Sequence, residues 1–203
     1  MSITMKLEEF KKIIDSNAPM IELIRNSAHE LHASVNQTYD NHPYGLHLDM
    51  VAQSVGQYGH LVCDNPNDLL PLLFGAYYHD SIEDARLTYN DVRKTAQQFM
   101  DEQQAFIATE IVYALTNDKG RTRNERAGEK YYAGIRQTPY APFVKLADRL
   151  ANFSYSCKRN QRMKKVYQEE LPHFLNAITS TSSDPRHSLP PPMIDAIMEL
   201  FNE

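Results

Sequence analysis

The chain has 203 residues, 42% hydrophobic and 23% charged, with a formal net charge of -5. That length and balance suit one globular domain with a real core and exclude wholesale disorder. The acidic balance excludes a broad basic coat for nucleic acid, the 7 glycines form no phosphate-cradling G-x-G-x-x-G or G-x-x-x-x-G-K-[ST] loop, and Cys63 and Cys157 form neither a C-x-x-C pair nor a disulfide framework.

The N-terminal stretch carries Glu8 and Glu9 and lacks the apolar region of a signal peptide. Leu7, Phe10, Ile13 and Ile14 follow helical spacing, and Pro19 suits the first turn of a second helix carrying Ile21, Ile24, Ala28 and Leu31. Leu46, Met50, Val51, Val55 and Tyr58 mark a third helix. Pro66 opens a fourth, predicted from Leu69 to about Asp84 and apolar nearly all round, as central buried helices are. Its apolar part, Leu69 to Tyr78, is about half a membrane span, so no membrane partner is expected. Thr88-x-x-Asp91 reads as a capping-box start for a fifth helix, with Val92, Ala96 and Phe99 inward. Phe106, Ile107, Ile111, Ala114 and Leu115 mark a sixth.

Thr116 to Asn124 reads as a polar loop and Glu125 to Arg136 as helix. Pro142 opens a strong helix with Val144, Leu146, Ala147, Leu150, Ala151 and Phe153 on its apolar side. Asn160 to Thr179 is predicted helical, kinked or divided at Pro172. Ser180 to Pro192 reads as a Ser/Pro-rich linker, and Ile194, Ile197, Met198 and Phe201 form a last amphipathic helix expected to dock on the body. No sustained period-2 alternation and no internal repeat occurs. The fold class is all-α, with a principal domain over 1–179, the linker over 180–192 and the terminal helix over 193–203.

Four features carry chemistry: His47 with Tyr44 before it; His79-Asp80 followed by Glu83-Asp84; Asp148 flanked by Lys145 and Asn152; and the loop from Asn117 to Arg123. On a continuous helix His79 stacks over Glu83 and Asp80 over Asp84, four residues apart. Polar groups there cost about 1–3 kcal/mol each if buried unpaired, and more if charged. A divalent cation compensates well, because it binds neutral imidazole and ionised carboxylate directly. His29, His32, His42, His60, His173 and His187 read as ordinary core or surface histidines.

His47, His79-Asp80 and Asp148 in that order resemble the H…HD…D pattern of HD-domain metal-dependent phosphohydrolases. His79-Asp80-Ser81-Ile82-Glu83-Asp84 resembles the HDxxED motif of RelA/SpoT-type alarmone hydrolases, and Pro43-Tyr44-Gly45-Leu46-His47 their PYxxH segment. Val144-Lys145-Leu146-Ala147-Asp148-Arg149-Leu150 resembles their VKLADRL segment, the most specific of the matches. Asn117-Asp118-Lys119 with Glu125-Arg126 is similar to the preceding stretch of the stand-alone small hydrolases, including the metazoan SpoT homologue. The likeness runs roughly from Ala28 to Lys158. Three departures stand out: Leu48 where the family has Pro, a longer His47-to-His79 segment, and Ala151-Asn152-Phe153-Ser154 without the family's Arg after Asn.

The resemblance implies a cytoplasmic hydrolase removing the 3′-pyrophosphate of guanosine alarmones, (p)ppGpp, in a chain with no room for synthetase and regulatory domains. His47, His79, Asp80 and Asp148 would hold one ion, Mn²⁺ by family and Zn²⁺ as the alternative. Glu83 would activate or orient water, supported by Asp84. Tyr44, Lys119, Arg123, Lys145 and Asn152 are candidate substrate contacts. Two other readings stay open: an HD phosphohydrolase acting on another nucleotide (an adenosine alarmone, a nicotinamide dinucleotide phosphate or a (d)NTP), and a non-catalytic nucleotide-binding module. In each the partner is a small nucleotide rather than duplex nucleic acid.

Overall fold

A computed structural model describes residues 4–117 and 121–202, except for the side chains of residues 123 and 124. Its first helix, α1 (Leu7–Ser34), runs unbroken through Pro19 where two helices were expected. An interior proline costs ~3 kcal/mol or more. Here Phe10 before it and Ile24 and Ala28 after it are all buried in one core, so packing of both halves outweighs the lost bond.

A two-residue antiparallel pair follows, β1 (Thr38–Tyr39) with β2 (His42–Pro43), in register Thr38 to Pro43 and Tyr39 to His42. Asp40 and Asn41 between them have φ of 49° and 66°. Positive φ at both central residues is the type I′ requirement, and Asp and Asn tolerate it better than most residues.

Helices α2 (Gly45–Tyr58) and α3 (Leu69–Tyr78) come next. Only Leu70 of α3 escapes full burial. Gly75 is required there, since a Cβ would lie 2.6 Å from the Ile111 side chain of the helix α3 packs on. The fourth predicted helix ends at Tyr78 instead of continuing to Asp84; His79 and Asp80 form a turn, and α4 (Ser81–Asp84) is a separate single turn. The His79 ring bonds the Ala76 carbonyl at 2.8 Å, occupying an acceptor of the last turn of α3.

Helix α5 (Tyr89–Ala96) begins at the predicted capping box, with both Thr88–Asp91 bonds made. In α6 (Glu102–Leu115), Ala105, Ala108, Ile111, Val112 and Leu115 face the core, while Phe106, expected inside, is exposed. The predicted helix 125–136 is two pieces, α7 (Arg123–Arg126) and α8 (Glu129–Gln137), parted at Ala127-Gly128. Helix α9 (Ala141–Arg159) has Pro142 in its first turn, as expected, and α10 (Gln161–Ile178) passes through Pro172 without dividing. Residues 180–190 are tied to the body: Arg186 O accepts from Tyr140 N, His187 Nδ1 meets Arg136 O at 2.9 Å, and Pro190 is buried. Helix α11 (Pro191–Glu199) buries Met193 and Ile197, whereas Met198 points outward.

The result is a single all-α domain in which α2, α3 and α9 pack on one another, with α1, α6, α8, α10 and α11 around them. Among the described residues no helix is long and apolar enough to cross a membrane.

Candidate metal centre

Two helix ends and the middle of a third helix meet at one point. His47 lies in the first turn of α2, His79 and Asp80 follow the last residue of α3, and Asp148 lies two turns into α9. The His47 and His79 Nε2 atoms are 3.2 Å apart. Asp80 Oδ2 lies 2.8 Å from His79 Nε2 and 3.7 Å from His47 Nε2. Asp148 Oδ1 lies 3.3 Å from His47 Nε2 and 3.9 Å from His79 Nε2. Donor atoms of His47, His79 and Asp80 all fall within 4.8 Å of one another, a grouping that could hold a metal ion.

The donor set fits a divalent ion. Bonds of about 2.0–2.2 Å place neighbouring ligand atoms about 3 Å apart and opposed ones about 4 Å apart, close to the spacings among His47, His79 and Asp80; Asp148 lies at such distances from both imidazoles but is not one of the three residues grouped within 4.8 Å. His79 Nδ1 is bonded to the Ala76 carbonyl, so in the neutral form of the ring that an ion would take up, the proton stays on Nδ1 and the Nε2 lone pair faces inward. The electrostatics are those of a cation seat. Burial pulls His79 down, yet the Asp80 and Asp148 carboxylates outweigh it and raise its pKa to about 9. Burial would raise Asp80, but the His79 imidazole beside it holds its carboxyl below the ordinary range. Asp148 is likewise held well below that range, against its burial, by the Lys145 ammonium and the two imidazoles.

Around these atoms is a hydrogen-bonded shell. Lys145 Nζ donates to Asp148 Oδ2 at 3.0 Å, and Asn152 Nδ2 donates to Asp148 Oδ1 at 2.5 Å. Tyr44 OH donates to Asp80 Oδ2 at 2.5 Å, and its ring stacks on His32 with centroids 4.8 Å apart. Tyr44, Lys145 and Asn152, expected to contact substrate, thus hold the carboxylates of the centre.

Glu83 and Asp84 follow Asp80 in sequence, on α4. Because the helix breaks after Tyr78, Glu83 does not stack over His79 in one regular helix. It is exposed, and its carboxylate accepts from Asn117 N at 2.7 Å and Asn117 Nδ2 at 3.1 Å. Asp84 is half-buried, and burial and the nearby Asp80 charge push its carboxyl up. Lys119 lies outside the described residues, as does the side chain of Arg123.

Several neighbours escape sequence reasoning. Tyr39 stacks on the His47 ring with centroids 4.9 Å apart and donates its hydroxyl to Asn152 Oδ1 at 3.0 Å. The Asp40-Asn41 turn signal could have drawn attention to it. His32, passed over as ordinary, is fully buried behind Tyr44, and burial lowers its pKa. Arg149, one residue after Asp148, is nearly buried; its guanidinium lies 4.7 Å from the Tyr167 ring and 4.3 Å from the Phe174 ring and pairs with Glu170 at 3.0 Å.

A cleft of about 230 Å³ opens beside Lys145, lined also by Asn117, Arg126, Tyr131, Arg149 and Phe174. Of its eight lining residues, which also include Ala127 and Tyr132, three are cationic and none is acidic. It shares Tyr132, Arg149 and Phe174 with a larger groove of about 680 Å³ between α8 and α10. Compared with known proteins, the chain matches no family model and no curated protein.

Proposed function

We propose that this chain is a metal-dependent phosphohydrolase acting on a nucleotide, with guanosine 3′-pyrophosphates as its substrates. The observation that supports it most is the meeting of two imidazoles and two carboxylates from α2, α3 and α9, in the order that resembles HD-domain hydrolases. His47, His79, Asp80 and Asp148 would hold the proposed ion, Mn²⁺, which would supply a water of lowered pKa and polarise a phosphoryl oxygen. The chain's own groups do the rest. Tyr44, Lys145 and Asn152 hold Asp80 and Asp148 in place. Glu83, oriented by Asn117, takes a proton from the attacking water, with Asp84 beside it. Arg126 and Arg149 in the adjoining cleft hold a phosphate away from the reacting centre through charge-assisted bonds.

One observation favours a second reading, an HD phosphohydrolase for a different nucleotide. Asn152, expected to touch substrate, already spends its amide on Asp148 and Tyr39. Incubation with Mn²⁺ and a nucleotide panel, with products resolved by chromatography, separates the two. The first reading expects ppGpp to give GDP and pyrophosphate in one step. Release of single phosphate, or faster turnover of nucleotides lacking a 3′-phosphate, transfers the assignment to the second. No turnover of any nucleotide by chain shown to bind Mn²⁺ overturns both.

A further inference from the structure

The two imidazoles of the centre are anchored differently. His79 is pinned by its Nδ1 bond to Ala76. His47 Nδ1 is buried and has no hydrogen-bond partner among the described residues. A ligating histidine ordinarily donates through its second nitrogen, and that bond sets the plane of the ring. At His47 something else must set it.

The flat contact on that ring is Tyr39, with centroids 4.9 Å apart and planes 21° apart, while Tyr44 and His79 meet it edgewise at 5.5 Å and 5.2 Å. Tyr39 is itself held from three sides. It pairs with His42 across the turn, donates to Asn152 Oδ1 at 3.0 Å, and receives the edge of the Tyr155 ring at 4.8 Å. Tyr155 also donates to Asp40 Oδ2 at 2.9 Å, fixing the turn. Asn152 in turn donates to Asp148 Oδ1. One side chain therefore touches a ligand on α2 and the holder of a ligand on α9.

We infer that Tyr39 is a positioning residue of the metal centre: its ring sets the plane of His47 in place of the missing hydrogen bond, and its hydroxyl steadies Asp148 through Asn152. This rests on the reading of the four-residue cluster as a metal site. A loose imidazole must be ordered when the ion binds, so loss of the ring should appear as loss of metal affinity, on the order of 10- to 100-fold for a supporting contact of this kind.

The test is Mn²⁺ and Zn²⁺ titration of wild type, Tyr39→Phe and Tyr39→Leu by calorimetry, with melting of the metal-free proteins alongside. Tyr39→Leu should bind about tenfold or more weakly while its metal-free melting temperature stays within a few degrees of wild type. Tyr39→Phe, which keeps the ring and loses only the bond to Asn152, should recover most of that affinity. In Co²⁺-loaded protein the visible bands should move in Tyr39→Leu and stay in Tyr39→Phe. If Tyr39→Leu does not fold, Tyr39→Met carries the same expectation. Wild-type affinity in the aliphatic variant overturns the proposal, as does a Tyr39→Phe loss equal to that of Tyr39→Leu. Failure of the wild-type chain to bind either ion overturns the metal reading itself, a distinct result.

Discussion

Helix α3 has a buried polar cluster at each end, and the two are built on opposite principles. At its start, Asp68 is 4% exposed and receives the Tyr140 hydroxyl at 2.6 Å, with Asn65 Nδ2 at 3.5 Å and the Cys63 thiol donating to Asn65 O at 3.1 Å. Burial pushes that thiol up to about 11, so it remains a donor. Every group there has an opposite number, and the cluster is closed. At the end of α3, two imidazole nitrogens and two carboxylate oxygens face one another; Tyr44 and Asn152 donate to those same oxygens of Asp80 and Asp148, and Lys145 donates to the other oxygen of Asp148. Hydrogen bonds complete the first cluster; the second gathers metal-type donor atoms from His47, His79 and Asp80 that could hold an ion between them. Burial alone therefore does not mark a functional site. The mark is a buried set of acceptors aimed at a common point.

The sharpest way to break the contrast is at the ligands. Asp148→Ala should weaken Mn²⁺ binding by more than about 100-fold, beyond the 10- to 100-fold typical of supporting contacts, and abolish turnover. Calorimetry and turnover on the same preparation check it. Equal loss in Asp68→Asn would show that the two ends of α3 are not functionally distinct.

Glu83→Gln separates chemistry from binding. The amide keeps the shape but cannot take a proton, so turnover should fall about 10²- to 10⁴-fold with Mn²⁺ affinity nearly unchanged. Single-turnover rates at saturating metal read this directly, and a wild-type rate removes Glu83 from the mechanism.

At the closed cluster, Tyr140→Phe should cost about 1–3 kcal/mol of stability in urea unfolding by leaving the Asp68 carboxylate short of a donor. Tyr140 sits at φ 68°, held by that bond and by its N–H to Arg186 O, so the variant also tests what maintains the left-handed conformation. Saturating Mn²⁺ at about 100 times its Kd should add about 2.7 kcal/mol to wild type and to Tyr140→Phe alike. A variant that no longer gains from the metal would couple the two clusters.

The smallest effect belongs to the cleft. Arg126→Ala should raise KM about three- to tenfold and leave kcat within about twofold, because a distant phosphate is held equally in ground and transition states. Steady-state kinetics with ppGpp decide it, and an unchanged KM would return Arg126 to the solvated surface.

The all-α fold was legible in the sequence because helical periodicity is a local property. The Thr88–Asp91 cap, the first turn of α9 with Pro142 and the apolar run of α3 all follow from neighbours a turn apart. The metal-type residues were legible for a related reason: His79-Asp80 and Asp148 are polar where the pattern demands apolar. Tertiary structure decided the rest. It carried α1 through Pro19, because the core on both sides outweighs one missing bond. It ended α3 at Tyr78 and sent Glu83 to Asn117, a residue 34 positions away. It gave Lys145 and Asn152 to Asp148, and it set Tyr39 on His47 through a hairpin of four paired residues too short to show alternation. The physical reason is common to all of these. Periodicity reports which face of a segment avoids water, whereas the partner of each polar atom depends on which distant segment packing brings within about 3 Å.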